Sequence, residues 1–246
     1  MPFGFSPELD AQLVAAADDI RKNLPRPHIA AFDADGTLWQ TDVGELFFQY
    51  QIDCCDLPNM PADPWHYYET LKKTDHRAAY LWLAQINKGQ SFNDVRKWAQ
   101  ASVNAAAPLP VFAPQARLIQ YLTSHQFEIY IVTASVQWAV APAAHLVGVK
   151  SEHVLGIQTA IEDGVVTDRQ HGELTWREGK ATGLIKTTGV APHLSVGNTI
   201  GDEALLRAAT HTRLAICSGS SVGELAQSEE GLQQVARAEK WLTHQF

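Results

Sequence analysis

The sequence predicts an α/β fold: a doubly wound, mostly parallel sheet with an all-helical block inserted after its first strand. Three observations carry this. From residue 113 to 217 the hydrophobic period switches repeatedly between the helical 3.6 and short strand-like apolar runs. Between 41 and 112 strand patterns vanish and helical segments follow one another. The first apolar run, "HIAAFD", ends in two aspartates one residue apart, followed by Gly-Thr-Leu. Ionised Asp is costly away from water unless partnered, so a buried strand running into Asp33 and Asp35 needs a reason.

Taken in order, "PELDAQLVAAADDIRKNL" over 7–24 has helical spacing, with Ser6 as its N-cap and "PRP" as its stop. A buried strand follows at 28–33. The next four segments are helical: "VGELFFQYQI", "DPWHYYETLKKT", "HRAAYLWLAQINKG" and "SFNDVRKWAQASVNAA", the last with Ser91 as N-cap. The prolines of "APLPVFAP" make a hinge back to the sheet. "PQARLIQYLTSH" is then helical, "FEIYIVTAS" a strand, and "VQWAVAPAAHLVG" a helix interrupted at Pro142. "HVLGIQTAIEDGVVTD" reads as two short strands around a Glu-Asp-Gly turn. "GKATGLIKTTG" and "GDEALLRAAT" are helices, "HLSVGN" and "TRLAIC" strands. The expected organisation is a Rossmann-like core over 1–40 and 113–246 and a helical cap over 41–112. In such sheets ligands bind beyond the carboxyl ends of the strands. Asp33, Asp35, Thr133, Gly197 and Asn198 all stand at such ends.

Composition narrows the function classes. The 246 residues hold 19 Lys and Arg against 27 Asp and Glu, net charge −8. Nucleic acid and anionic membranes are therefore not expected partners, whereas a small phosphorylated substrate needs only local positive charge. No leader-like or membrane-spanning apolar run is evident, so a cytoplasmic location is expected. Three cysteines, two of them adjacent (Cys54, Cys55), make no disulfide framework and read as ordinary thiols. The ten histidines show no metal-ligand spacing.

Four segments together resemble the haloacid dehalogenase-like hydrolases. "DADGTLW" is similar to that family's first motif, Asp-x-Asp-x-Thr. "IYIVTAS" resembles the second, an apolar strand ending at Thr133. "REGKATGLI" resembles the third, with Lys180 at a helix start, and "SVGNTIGDEALL" the fourth, an acidic loop after a strand. They occur in family order over about residues 28–216. The helical insertion resembles the cap of the phosphoserine-phosphatase-like branch, and the phosphorylcholine phosphatases are similar too. Singly, the bland readings hold: Asp33 and Asp35 as turn residues, Thr133 as a buried hydroxyl, Lys180 as a solvated helix residue. The weight comes from the set.

The resemblance implies a Mg²⁺-dependent phosphomonoesterase working through an aspartyl-phosphate. Asp33 is the expected nucleophile and Asp35 the general acid, then base. Thr133, with the neighbouring Ala134, would hold a phosphoryl oxygen, and Lys180 would offset the charge. Metal ligands are expected from Asp33, Asp35 (including its carbonyl), Asn198 and Asp202. Asn198 departs from the family's usual Asp. It keeps an oxygen donor but no charge, so Asn198→Asp is expected to tighten Mg²⁺ binding. Direct and water-mediated coordination by Asp202 both fit. A rival register beginning at Gly201-Asp202 would put Leu206 at the second carboxylate and leave the strand end.

Three other functions compete. C–halogen hydrolysis needs no acid two residues after the nucleophile, so Asp35 speaks against it. A non-catalytic phosphate-binding or regulatory module on the same fold remains an alternative. A receiver domain would be half this length and lack a cap. For substrate, Trp39, Asp42 and Glu45 lie just after the first motif, and the cap adds Phe47, Phe48, Tyr50, Trp65, Tyr67, Tyr68, Tyr80 and Trp82. Carboxylates with aromatic faces suit an ester bearing an amine or quaternary ammonium, such as phosphoserine or phosphocholine. The plainer reading makes the aromatics cap core and the two acids first-turn residues of a helix.

Overall fold

A computed structural model of the chain describes residues 3–219 and 222–246. Helix α1 (Pro7–Asn23) starts at Ser6, whose hydroxyl accepts the Leu9 N–H at 3.2 Å. Strand β1 (His28–Phe32) is buried along its whole length. Four helices follow it: α2 (Val43–Cys54), α3 (Pro64–Thr74), α4 (His76–Gln85) and α5 (Phe92–Ala105). The chain returns through α6 (Ala113–Ser124), β2 (Phe127–Val136) and the short α7 (Gln137–Val140), where Pro142 turns the continuation into a 3₁₀ segment over Ala141–Val147. Then come β3 (Val154–Glu162), β4 (Val165–His171), α8 (Glu178–Thr188), β5 (Leu194–Gly197), α9 (Glu203–Ala208), β6 (Thr212–Cys217), α10 (Gly223–Ala238) and β7 (Leu242–Gln245). Sequence reading had stopped at β6; α10 and β7 extend the pattern by one more helix and strand.

The sheet order is β4-β3-β2-β1-β5-β6-β7, parallel except for β4. The exception is local. Asp163 and Gly164 both take positive φ (50° and 79°), so a two-residue hairpin forces β4 antiparallel to β3. Alternation along β1 builds both layers. Ala30 and Phe32 pack with α1 and α6 residues such as Leu13 and Leu118. Ile29 and Ala31 pack with Leu184 of α8 and Leu205 of α9. Because β1 lies between β2 and β5, its C-terminal end is where the strand order reverses, the place where a doubly wound sheet opens a crevice.

The helices α2–α5 are joined to the sheet at two places. Their entry and exit segments run side by side: Gln40 N–H donates to Pro110 at 3.0 Å and Phe112 N–H to Leu38 at 2.9 Å. At the other end the α4–α5 connection pairs with the β3–β4 hairpin. Gly89 donates to Val166 (2.8 Å), Val166 to Gln90 (2.9 Å), and Phe92 to Gly164 (2.8 Å). Ser91 stands at the N-cap position of α5, but its side chain makes no capping bond. The hairpin carbonyl that receives the Phe92 N–H does that work instead. One apolar cluster, including Phe47, Phe48, Tyr68, Val95, Val136, Ile157 and Val166, runs continuously from these helices into β2, β3 and β4. Among the described residues, no helix is long and apolar enough to cross a membrane.

Candidate active site

Asp33 directly follows β1, and its N–H donates to Val196 of β5 at 2.9 Å, so its backbone is fixed by the sheet. Its carboxylate meets two partners. Lys180, from the first turn of α8, lies 2.6 Å from Oδ1, and the Thr37 hydroxyl donates to Oδ2 at 3.0 Å. Lys180 also bridges to Asp202 at 2.5 Å. Burial, the Asp202 charge and, against them, the Lys180 ammonium leave the Asp33 carboxyl pushed up to about 7. Burial alone would lower Lys180, but Asp202 and Asp33 outweigh it and hold the ammonium above the ordinary lysine range.

Asp35 faces differently. Its Oδ1 accepts from the Trp39 indole at 2.8 Å and the Val43 N–H at 2.9 Å, and its Oδ2 from the Ser135 hydroxyl at 2.8 Å. Burial, with the nearby Asp42 charge, overrides these three donors and pushes the carboxyl up to about 7. The N-terminus of α2 can come this close because Gly44 lacks a side chain. A Cβ there would sit 2.5 Å from the Ser135 hydroxyl. Thr133 is buried on β2 and its hydroxyl accepts the Ser135 N–H at 3.0 Å, which leaves its own proton free to donate. Ala134 between them is half-buried.

Two assignments need correcting, and the place of Asp202 needs stating. Trp39 is fully buried in the main core, so it offers no face to a ligand; its indole holds Asp35 in place. The Asp35 carboxylate is turned to Trp39, Val43 and Ser135, so its side chain is not placed as a metal ligand; only its main-chain carbonyl remains a candidate. Asp202 has both oxygens filled. Oδ1 pairs with Lys180, while Oδ2 accepts from the backbone of Asn198 (3.2 Å) and Thr199 (3.0 Å) and from the Thr199 hydroxyl (3.1 Å). It is the counter-ion of Lys180 and closes the capping box of the 3₁₀ turn Ile200–Asp202.

The oxygens that remain suit a small hard cation. Thr37 Oγ1 lies 3.0 Å from Asp33 Oδ2 and 3.2 Å from Asn198 Oδ1, so a carboxylate and an amide oxygen face one point. Gly36, at φ 77°, forms one wall; a Cβ there would come within 2.2 Å of the Asn198 amide nitrogen. Among the described residues no three His, Cys, Asp or Glu side chains gather as a metal cluster. Oxygen donors from Asp33 and Asn198 suit Mg²⁺, which prefers hard ligands and keeps several waters.

Above this end of the sheet stand residues of α2, α3 and α4. Asp42 caps α2, with Oδ1 accepting the Glu45 N–H at 2.8 Å; crowding by protein and the neighbouring Glu45 push its carboxyl up to about 6. Glu45 lies 3.8 Å from Lys72, and Glu69 3.4 Å from the same ammonium, which also sits 5.3 Å from the Tyr68 ring centre. Tyr80 of α4 is raised by burial and lies within reach of the charges of Lys72, Asp42, Lys180 and Glu45.

Comparison with known proteins follows the same outline. The profile of haloacid dehalogenase-like hydrolases matches residues 30–207. The chain belongs to this family. A phosphorylcholine phosphatase of Pseudomonas aeruginosa is 23% identical over 195 residues, covering 63% of this chain and 54% of its own length. The chain thus spans about half the length of that relative. A Bordetella pertussis Tohama I protein of unknown function superposes with TM-score 0.71 at 18% identity, covering 89% of this chain and 99% of its own. A phosphoserine phosphatase, solved as an analogue of its phospho-aspartyl intermediate, gives TM-score 0.53 at 14% identity over 89% of this chain and 93% of its own. At these identities the structural likenesses establish the fold.

Within this family site, the structure brings Asp33, Lys180, Asp202 and Asn198 together and sets Asp35 and Thr133 beside them through Ser135. Sequence reading passed over Ser135, Lys72 and Glu229. Ser135 follows Thr133 by two residues, a spacing that could have marked it. Lys72 and Glu229 carried no such signal, because each reaches the site only through packing of distant helices.

Proposed function

We propose that this hydrolase is a Mg²⁺-dependent phosphomonoesterase acting on a small organic phosphate. The observation that carries the reading is a buried Asp33 held 2.6 Å from Lys180 with a second, half-buried carboxyl, Asp35, pushed up to about 7 two residues on. In the first step the Asp33 carboxylate attacks phosphorus and the ester oxygen leaves, taking the proton of Asp35. In the second, Asp35 accepts a proton from water, which attacks the phosphoryl-aspartate and releases phosphate. A carboxyl titrating near neutrality suits both halves. Lys180 and the Thr133 hydroxyl meet the phosphoryl oxygens, where charge builds in the transition state. Asp33, Asn198 and the Asp35 carbonyl would hold Mg²⁺, whose charge offsets the repulsion between the phosphate dianion and Asp33.

The helices α2–α5 act as the cap that selects the substrate. Three carboxylates, Asp42, Glu45 and Glu69, stand against the single ammonium of Lys72 beside Tyr68 and Tyr80. This excess of negative charge supports an ester with a cationic far end, choline-like or amine-bearing. Lys72 favours a second reading, a zwitterionic ester such as an amino-acid phosphate, whose carboxylate it would meet. Of the cap aromatics, Phe47, Phe48 and Tyr68 are buried in the apolar cluster, whereas Tyr50, Trp65, Tyr80 and Trp82 are half-buried and Tyr67 is exposed.

A screen of phosphoserine, phosphoethanolamine, phosphocholine, sugar phosphates, nucleotides and an aryl phosphate tests both levels. Phosphate release dependent on Mg²⁺, abolished by chelator and by Asp33→Asn, is expected, with a cationic ester preferred. Undiminished turnover in Asp33→Asn would reject the covalent route. Preference for sugar phosphates or nucleotides would reject the substrate class.

A further inference from the structure

Behind Asn198 lies a carboxylate that the proposed reaction does not use. Glu229, on α10, is 1% exposed. Its Oε1 accepts from the Asn198 amide nitrogen at 3.1 Å, from the Ser218 N–H at 3.0 Å and from the Ser218 hydroxyl. Its Oε2 accepts from the Cys217 thiol at 3.1 Å. Four donors converging on one group suit an ionised carboxylate, which only accepts. The Asn198 amide therefore turns its nitrogen to Glu229. Its Oδ1 is left facing Thr37 at 3.2 Å, on the side of Asp33.

We propose that Asn198 and Glu229 work as one unit: Glu229 is a positioning residue that aims the Asn198 oxygen at the cation site and supplies, from behind, the negative charge that Asn198 lacks. The proposal rests on the reading of this site as a Mg²⁺ site, not on the identity of the substrate. It overturns the expectation that Asn198→Asp would tighten Mg²⁺ binding. An aspartate at 198 would place two carboxylates in contact inside the protein, about where the 3.1 Å amide bond now lies. Like charges that close repel strongly, and neither has water to soften it. The departure at 198 is thus matched by a residue 31 positions away on another helix.

The test is a double-mutant cycle on the full chain, read by thermal unfolding without metal and by the Mg²⁺ concentration at half of the Mg²⁺-induced rise in Tm. Glu229→Gln is expected to raise that midpoint about tenfold, the scale for losing a group that orients a metal ligand. Asn198→Asp is expected to lower the metal-free Tm and to raise the midpoint. Asn198→Asp with Glu229→Gln, which moves the charge from one partner to the other, is expected to recover both. If Asn198→Asp alone does not fold, recovery of folded protein by the second substitution is the expected result. Tighter Mg²⁺ binding by Asn198→Asp with unchanged metal-free Tm would overturn the unit, and so would effects that simply add. A wild-type Tm indifferent to Mg²⁺ would overturn its role at a cation site. None of these readouts is turnover. A chain that shows the coupled shifts yet cleaves no phosphate ester would uphold the pair and remove only the phosphatase reading.

Discussion

Two lysines are each flanked by two carboxylates, one in the core and one among the helices α2–α5. In the core, Lys180 reaches Asp33 at 2.6 Å and Asp202 at 2.5 Å, with all three side chains 8% exposed or less. In the cap, Lys72 reaches Glu69 at 3.4 Å and Glu45 only at 3.8 Å; its side chain is 23% exposed, theirs 46% and 38%. The core triad has been taken out of water and must be bonded within itself, so its geometry is set before a ligand arrives. The cap triad is half in water and loosely paired, so a ligand can rearrange it at little cost. On the proposed reaction the two triads would divide the work: fixed charge where bonds break, adjustable charge where substrates are told apart.

The largest expected effect lies in the core. Lys180→Met would leave Asp33 and Asp202 buried without their cation, and it is expected to cost about 3–5 kcal/mol of stability. Urea denaturation measures this. A loss under about 1 kcal/mol would show that the core triad is as loose as that of the cap.

A smaller effect follows from pH. Without metal, the Asp33 and Asp35 carboxyls are pushed up to about 7, chiefly by burial. Unfolded, both titrate near the ordinary value of about 4. Between roughly pH 4 and 7 the folded chain therefore holds protons that the unfolded chain releases, and stability falls as pH rises across that window. Metal-free Tm is expected to drop between pH 5 and pH 7.5, and added Mg²⁺ to reduce the drop. A Tm that rises over this range would contradict the burial of these groups as the dominant influence.

The smallest effect belongs to the cap. Lys72→Met is expected to change stability by less than about 1 kcal/mol, as exposed pairs do. It should lower the KM of a cationic ester a few-fold and leave that of an uncharged aryl phosphate unchanged. A KM for phosphoserine that rises instead would assign Lys72 to a substrate carboxylate and favour the zwitterionic reading.

How the cap is tied also separates the two regions. Its helices were legible from period alone; that Asp42, Asp63 and Asp75 each cap one by accepting a bond from its first turn is seen in the structure. The backbone pairing of 89–92 with the β3–β4 hairpin was not legible, because such bonds depend on which edges meet in space. For the same reason Ser91 looked like an N-cap while its helix is met by the Gly164 carbonyl instead.

Sequence alone determined the alternation of strand and helix, the place of the inserted helices, and the nearness of Asp33, Asp35, Thr133 and Asn198. It could do so because period 2 and period 3.6 are local properties, and because parallel strands must gather their C-terminal ends at one edge. What each carboxylate does there was decided only by the tertiary structure. Asp202 faces Lys180, Asp35 faces Ser135 and Trp39, and Glu229 takes the Asn198 amide. A buried carboxylate is defined by its donors, and here those donors arrive from elements up to 147 residues away along the chain.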